Sequence, residues 1–244
     1  MRGLRDNRAV TSVYDPIAHV FDAWSRSVVE DIPFYVREAL AAGGPVVELG
    51  IGTGRDALMI ARRGVRVIGV DDSPEMLGIC RARARDARVL ELVDLRLGDL
   101  RSPPVRERVQ LVLCPFRAYL HLLTDDERRQ ALAAAYTLLL PGGRLVFDVF
   151  APDATDIAET HGRWLEREPG IEERADWDAA ARAFTLRVRS GGDETAMALA
   201  WVSPDEWRTL LVAAGFEILG HFGWFDRSAY AGGEDSVWIA RRPL

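Results

Sequence analysis

The chain has 244 residues, and its 37 acidic and 31 basic side chains give a net charge of −6. Every basic residue is an arginine, which excludes enzymes that form a lysine Schiff base and NTPases that need a P-loop lysine. The acidic balance disfavours nucleic acid or an anionic membrane as the main partner. No apolar run reaches the roughly 18 residues that span a bilayer.

A cytoplasmic location is expected from two further features. The first ten residues, MRGLRDNRAV, contain no apolar stretch typical of a signal peptide. The two cysteines, Cys80 and Cys114, lie far apart in apolar surroundings, which predicts buried free thiols in a reducing compartment.

The first 150 residues alternate between apolar strand patterns and helix patterns. Gly43-Gly44-Pro45 precedes a first strand that begins at Val46, and capping signals at Ser73 and Thr124 open two helices. The later strands are predicted at 65–70, 92–97, 109–114 and 144–150, and the helices at 56–63, 73–87 and 124–141. Strands separated by helices of this length are typical of a parallel sheet covered on both faces.

The pattern changes after Pro152. Residues 155–168 are polar with weak helical character, and three strands are predicted at 171–177, 183–189 and 194–202. A helix then begins at Ser203 and ends at Gly215, and 217–225 with 236–241 predict a hairpin at the sheet edge. The fold class is therefore predicted as α/β, with a doubly wound, mostly parallel seven-stranded sheet and an antiparallel insertion.

This pattern predicts three parts of the chain. A helical cap is expected over 1–42, a ligand-binding domain over 43–152 with 203–244, and an insertion over 153–202 that covers the substrate.

A glycine-rich turn, VVELGIGTGR, joins the first strand to the first helix of this domain. Gly50, Gly52 and Gly54 leave backbone N–H groups accessible to a ligand at a helix N-terminus. A dinucleotide fingerprint would have glycine where Arg55 stands. The turn is either a ligand site or a tight connection without one.

Three successive strands end in acids: Glu48, Asp71 with Asp72 beside it, and Asp99. The carboxyl ends of parallel strands lie at one edge of the sheet, where a carboxylate can accept bonds from ribose hydroxyls. One or two of these acids could instead cap helices. Three together favour a ligand rich in hydrogen-bond donors over one whose main group is phosphate.

These segments, together with LLLPGGRLVFDVF and an early SVYDPIAHVFDAW, resemble class I S-adenosylmethionine-dependent methyltransferases. The resemblance implies that Tyr14 closes over the methionine end of the cofactor. It also implies that Asp71 binds the ribose, Asp99 binds the adenine amine and Met76 packs on the adenine. The full set of cofactor contacts implied is Tyr14, Glu48, Gly50, Gly52, Gly54, Asp71, Asp72, Met76, Gly98, Asp99, Leu100, Cys114, Pro115 and Phe116.

The segment after the fourth predicted strand, LCPFRAYLHLL, is expected to border cofactor and substrate. His121 is the best-placed general base, or else packs on the following helix. Arg117 either binds an anionic substrate group or pairs with Asp125 or Asp126. Tyr119 and Trp224 are the other expected substrate contacts, and Trp164, Trp177 and Trp201 with Phe225 either wall an apolar pocket or belong to the core. No residues have the spacing of a metal site.

The sequence therefore predicts methyl transfer from S-adenosylmethionine to oxygen or nitrogen of a small molecule by in-line displacement. Two alternatives stay open: a nicotinamide-dependent oxidoreductase on a similar sheet, and a non-catalytic cofactor-binding protein. Nucleic acid and membrane are not expected as partners, and a homodimer is left open.

Overall fold

A computed structural model describes residues 12–27 and 29–244, and a seven-stranded sheet lies at its centre. The spatial order of the strands is β10-β11-β5-β4-β1-β2-β3. Strands β1 to β5 are parallel, whereas β11 runs antiparallel to β5 and β10 antiparallel to β11. Their bounds are β1 Val46–Leu49, β2 Val67–Asp71, β3 Val93–Leu97, β4 Val109–Cys114, β5 Leu139–Phe150, β10 Glu217–Phe222 and β11 Asp235–Arg241.

Strand β1 lies in the middle of this sheet, between β2 and β4, and all four of its residues are buried. The chain therefore reverses its direction of winding beside β1. In open α/β sheets a ligand crevice forms at such a reversal, outside the carboxyl ends of the strands. The acids that end β1 and β2 lie at this crevice.

Helices cover both faces of the sheet. Residues such as Phe34, Leu58 and Leu77 pack on one face, and Leu132 and Trp207 pack on the other. The helices are α1 Phe21–Trp24, α2 Ile32–Ala42, α3 Arg55–Ala61, α4 Pro74–Asp86, α5 Asp125–Leu138, α6 Ala154–Thr160 and α7 Pro204–Ala213, with short 3₁₀-helices at Asp15–Val20, Leu90–Leu92 and Ala118–His121. Every helix in the described part of the chain is too short or too polar to span a bilayer.

A second, antiparallel sheet follows β5 and has four strands in the order β6-β7-β8-β9. The strands are β6 Trp164–Glu168, β7 Ile171–Asp178, β8 Ala183–Ser190 and β9 Asp193–Ala200. Phe184, Val188 and Leu199 are buried on the face that joins the core of the main sheet. The predicted fold class is confirmed. The weak helix predicted over 155–168 is wrong beyond Thr160, because residues 164–168 pair with β7.

Two predicted boundaries are also wrong. The helix that begins after Thr124 ends at Leu138 rather than at Pro141, because Leu139 is already extended and pairs with Val109 of β4. Strand β10 ends at Phe222, since Gly223 donates its N–H to the Ser228 carbonyl in a turn.

The three-part division of the chain stays a prediction. Residues 1–11 and 28 of the predicted cap lie outside the described residues.

Candidate functional site

A first cavity of about 320 Å³ lies at the carboxyl ends of β1, β2 and β4. Thirteen residues singled out in the sequence line it. They are Tyr14, Glu48, Gly50, Gly52, Asp71, Asp72, Met76, Gly98, Asp99, Leu100, Pro115, Phe116 and His121.

The glycine-rich turn forms one wall of the first cavity. Gly50, Gly52 and Gly54 all have positive φ, a conformation that side chains rarely adopt. Gly50 and Ile51 donate their N–H groups to the Val70 carbonyl, which ties the turn to β2. A Cβ on Gly52 would meet nothing within 4 Å, so a ligand can approach its backbone closely.

Asp71, the last residue of β2, connects the glycine-rich turn to α4. One carboxylate oxygen accepts from Gly52 N at 2.8 Å and the other from Ser73 N at 2.9 Å. Burial raises the pKa of Asp71 to about 6, and the two backbone donors oppose that rise. Each carboxylate oxygen keeps a further lone pair for a ligand hydroxyl.

A second wall of the cavity carries an excess of buried carboxylates. Among the described residues, Glu48 Oε2 and Asp56 Oδ1 have no hydrogen-bond partner. Arg55 contacts Asp56 at 3.0 Å and also pairs with Asp31. Burial raises the pKa of Glu48, and it raises that of Asp56 to about 7 against the opposing charge of Arg55. This wall therefore suits a cation with hydrogen-bond donors.

The far end of the first cavity is closed by a chain of ion pairs. Arg101 donates to Asp99 from its backbone N at 2.7 Å and from its guanidinium, which also bonds Glu127 at 2.5 Å. These donors hold the pKa of Asp99 below its usual value. A ligand amine at Asp99 would therefore have to share the carboxylate with Arg101.

A second cavity, of about 570 Å³, lies between the main sheet and the antiparallel sheet. Tyr14, Phe116 and His121 line both cavities, and we call these three residues the junction. Trp177, on β7, and Trp224 line only the second cavity.

Tyr14 and His121 are joined at the junction, where Tyr14 Oη and His121 Nε2 lie 2.8 Å apart. Burial raises the pKa of Tyr14, with Asp71 and Asp72 adding to the rise. Burial lowers the pKa of His121 to about 4. Both groups are therefore neutral near pH 7, and the Tyr14 hydroxyl can donate to the unprotonated Nε2.

The third junction residue, Phe116, belongs to a strained turn. Phe116 and Arg117 have φ of 56° and 60°, which is uncommon for residues other than glycine. Asp148 accepts from Arg117 N at 3.0 Å, and the Arg117 guanidinium bonds Asp235 at 2.6 Å and lies over the Phe150 ring. These contacts hold the turn that carries Phe116, which borders both cavities.

Known proteins resemble this chain in the sequence of its central part and in its fold as a whole. The family described as "Methyltransferase domain" matches residues 46–143. A putative methyltransferase of Geobacillus sp. (strain WCH70) is 32% identical over 130 residues, 53% of this chain and 50% of that protein. This chain thus spans about half the length of the first curated relatives it matches.

Two solved structures extend the likeness. The CcbJ methyltransferase from Streptomyces caelestis has a TM-score of 0.83 and 27% identity, covering 96% of this chain and 99% of that one. The sugar N-methyltransferase KedS8 from Streptoalloteichus sp. ATCC 53650 shares the fold, with a TM-score of 0.69, 17% identity, and coverage of 100% and 98%.

In its matched sequence core and in its fold, the chain resembles class I S-adenosylmethionine-dependent methyltransferases. These likenesses support the predicted family, enzyme class and cofactor, S-adenosylmethionine. The acids that line the first cavity would repel the pyrophosphate of a nicotinamide cofactor, which argues against the oxidoreductase alternative.

The first cavity fits the functional groups of S-adenosylmethionine. The unpartnered oxygens of Glu48 and Asp56 suit the ammonium of the methionine part, and Asp71 suits the ribose hydroxyls. Met76 and Leu100 supply apolar surface for the adenine. The individual roles of these residues stay predictions.

Four details of the predicted site are wrong. Gly54 lies outside both cavities, because a Cβ there would be 2.5 Å from Cys80 Sγ in the packing between helices α3 and α4. Cys114 and Tyr119 are fully buried rather than exposed to a ligand, and Tyr119 stacks on Trp207. Arg117 pairs with Asp235 instead of Asp125 or Asp126.

The structure divides the aromatic residues of the expected wall between the cavity lining and the core. Trp177, Trp224 and Phe225 line the second cavity. Trp201 is buried and packs edge-on against Trp177, whereas Trp164 lies under Arg189 on the small sheet, away from the lining.

Three residues of the site were missed in the sequence. Asp148 lines the second cavity and Asp56 and Arg101 the first. A signal was available for Asp148, since a charge within the apolar run RLVFDVF needs a compensating partner. Arg101 showed no pattern that distinguished it from a surface arginine.

Proposed function

We propose that this protein transfers the methyl group of S-adenosylmethionine to oxygen or nitrogen of a small molecule that binds in the second cavity. The observation that carries the proposal is the junction, since Tyr14, Phe116 and His121 belong to both cavities. A cofactor in one cavity and an acceptor in the other would meet there.

The reaction requires little acid–base chemistry from the protein. S-adenosylmethionine supplies a methyl group already activated by a sulfonium, so in-line positioning and exclusion of water account for most of the rate. The neutral Tyr14–His121 pair places no positive charge at the junction to oppose the sulfonium. His121 Nε2, a weak base, could accept a proton there only after the Tyr14 hydroxyl gives up its hydrogen bond to it.

Size and charge support a small acceptor. A cavity of about 570 Å³ is within the usual range for small-molecule sites. The net charge of −6 disfavours a nucleic acid. The fold can serve such acceptors, since KedS8, named a sugar N-methyltransferase, has it.

Filling the second cavity tests the proposal. Leu165 lines this cavity and not the first, so Leu165→Trp should block the acceptor and leave the affinity for S-adenosylhomocysteine within roughly threefold of wild type. Val212→Trp, at a 60% exposed position on α7, is the matched control. The measurements are calorimetry for the affinity and transfer of labelled methyl to a panel of small molecules.

A protein that fails to bind S-adenosylhomocysteine, or a Leu165→Trp variant that transfers methyl groups at the wild-type rate, would contradict the proposal.

A further inference from the structure

The second cavity is strongly acidic. Among residues 12–27 and 29–244, seven carboxylates and two guanidiniums line it. Both arginines are already paired, Arg117 with Asp235 and Arg167 with Glu173. A third carboxylate, Asp31, is held by Arg55. The remaining four, Glu30, Asp148, Asp156 and Glu234, have no ion pair with a described residue.

The walls of the same cavity are aromatic. Trp177 and Phe184 form a layer with ring centroids 4.2 Å apart, and Trp24 and Trp224 line other sides. Aromatic faces bind apolar groups and attract cations through their quadrupole. Acids and aromatics together suit a ligand with an apolar body and a positive charge.

Asp148 is the buried carboxylate of this cavity that lies beside the junction. It is 5% exposed, and it accepts from Arg117 N, the residue next to Phe116. Its other recorded donor is the Tyr35 hydroxyl at 2.5 Å. Both donors are neutral groups. Burial raises the pKa of Asp148 to about 6 and Asp31 adds to the rise, while the Tyr35 hydroxyl and the charges of Arg117 and Arg55 oppose it. A bound cation would further stabilise the ionised form.

Resting on the proposed function, we propose that the acceptor is an amine with an apolar body, which enters as an ammonium ion and is held by Asp148 beside the junction. The ammonium gives one proton to the Asp148 carboxylate, which releases it to solvent. The nitrogen lone pair then attacks the methyl carbon, so that the N–C bond forms as the C–S bond breaks and its electron pair goes to sulfur. The products are the N-methylated ammonium, S-adenosylhomocysteine and one released proton.

Matched pairs of probes test this assignment: tryptamine with tryptophol, benzylamine with benzyl alcohol, and cyclohexylamine with cyclohexanol. Each is titrated by calorimetry into the protein saturated with S-adenosylhomocysteine, and methylation is followed with labelled S-adenosylmethionine. At least one amine should bind on the order of tenfold more tightly than its alcohol, and any labelled product should be N-methylated.

Asp148→Asn is the decisive variant because it removes the charge and keeps a hydrogen-bond acceptor. If Asp148 only supports the Phe116–Arg117 turn, the variant weakens amine and alcohol alike and leaves their ratio unchanged. If it holds the ammonium, the ratio falls towards one while the alcohol binds as before. Glu91→Gln, at an exposed position outside both cavities, makes the same change of net charge and should preserve the ratio.

The outcomes separate the two proposals. If S-adenosylhomocysteine does not bind, the proposed function fails. If it binds and no amine of the panel is preferred to its alcohol, or if Asp148→Asn keeps the wild-type ratio, the amine assignment fails and the proposed function stands.

Discussion

The protonation of His121 can be tested through protein stability. Burial holds its pKa at about 4, against 6.5 for an ordinary histidine. The unfolded chain therefore takes up a proton below pH 6.5, and the folded chain only below about pH 4. Between these values the unfolded state binds more protons, so this residue lowers stability as the pH falls.

The size of the effect follows from the two pKa values. At pH 4.5 the protonation difference corresponds to about 2.5 kcal/mol of lost stability, and the loss levels off below pH 4. Asp72 is the charged group that opposes this shift, and Tyr14 is the hydrogen-bond partner. Carboxyl groups with raised pKa values titrate in the same pH range and change the stability in the opposite direction. They are present in wild type and variant alike, so their effect cancels in the difference between the two proteins.

The assay compares wild type with His121→Asn. Urea unfolding, followed by tryptophan fluorescence between pH 7.5 and 4.5, gives the free energy of unfolding of each. The wild type should lose about 2 to 2.5 kcal/mol more than the variant over this range. The variant also loses ring packing, which shifts its curve equally at every pH. If the free energies of unfolding of wild type and variant changed equally with pH, His121 would not be a buried neutral imidazole. The description of the junction would then be wrong.

Two further predictions concern the first cavity and its turn. Asp71→Ala should weaken the binding of S-adenosylhomocysteine, measured by calorimetry, roughly 10- to 100-fold, because the variant loses the bonds to the ribose and the hydrogen bond from Gly52 N. His121→Ala should change the same affinity less than about threefold. Equal losses in the two variants would refute this division of roles. Gly64→Ala, where φ is +85° and nothing lies within 4 Å, should cost about 1–2 kcal/mol of stability in urea unfolding. Gly54→Ala should lower the free energy of unfolding by about 1–3 kcal/mol more than Gly64→Ala does, because the added Cβ would also collide with Cys80. Equal losses in the two variants would contradict the close packing of Gly54 against Cys80.

The sheet and the first cavity were predictable because the evidence for them is local. Apolar runs separated by capped helices specify parallel strands, and parallel strands bring their carboxyl ends to one edge. Glu48 is the last residue but one of β1, Asp71 is the last residue of β2, and Asp99 lies two residues after β3, so their convergence could be predicted before any contact was known. The boundary error at Leu139 came from pairing with the distant Val109 of β4, which no local pattern records. The error at Phe222 came from the turn in which Gly223 bonds the Ser228 carbonyl.

Side-chain direction decided the errors in the site. Cys114 and Tyr119 belong to the segment 113–123 that was predicted to border the ligands, but Cys114 is the last residue of a β4 end that is buried throughout, and Tyr119 is buried in the 3₁₀-helix that follows. Phe116 and His121, from the same segment, face the cavities. The sequence analysis therefore gave all these neighbouring residues the same role at the ligand site, and only the packing of the fold shows which of them face a cavity and which lie in the core.

The sequence by itself determined the parallel sheet, the glycine-rich turn and the acids at the strand ends, and through them the resemblance to methyltransferases. Only the tertiary structure decided the second cavity and its chemistry. Tyr14 meets His121 across 107 positions of sequence, and Arg117 meets Asp235 across 118. Such contacts depend on which elements pack together, because a buried charge or hydroxyl takes its partner from whatever the fold places within hydrogen-bond distance.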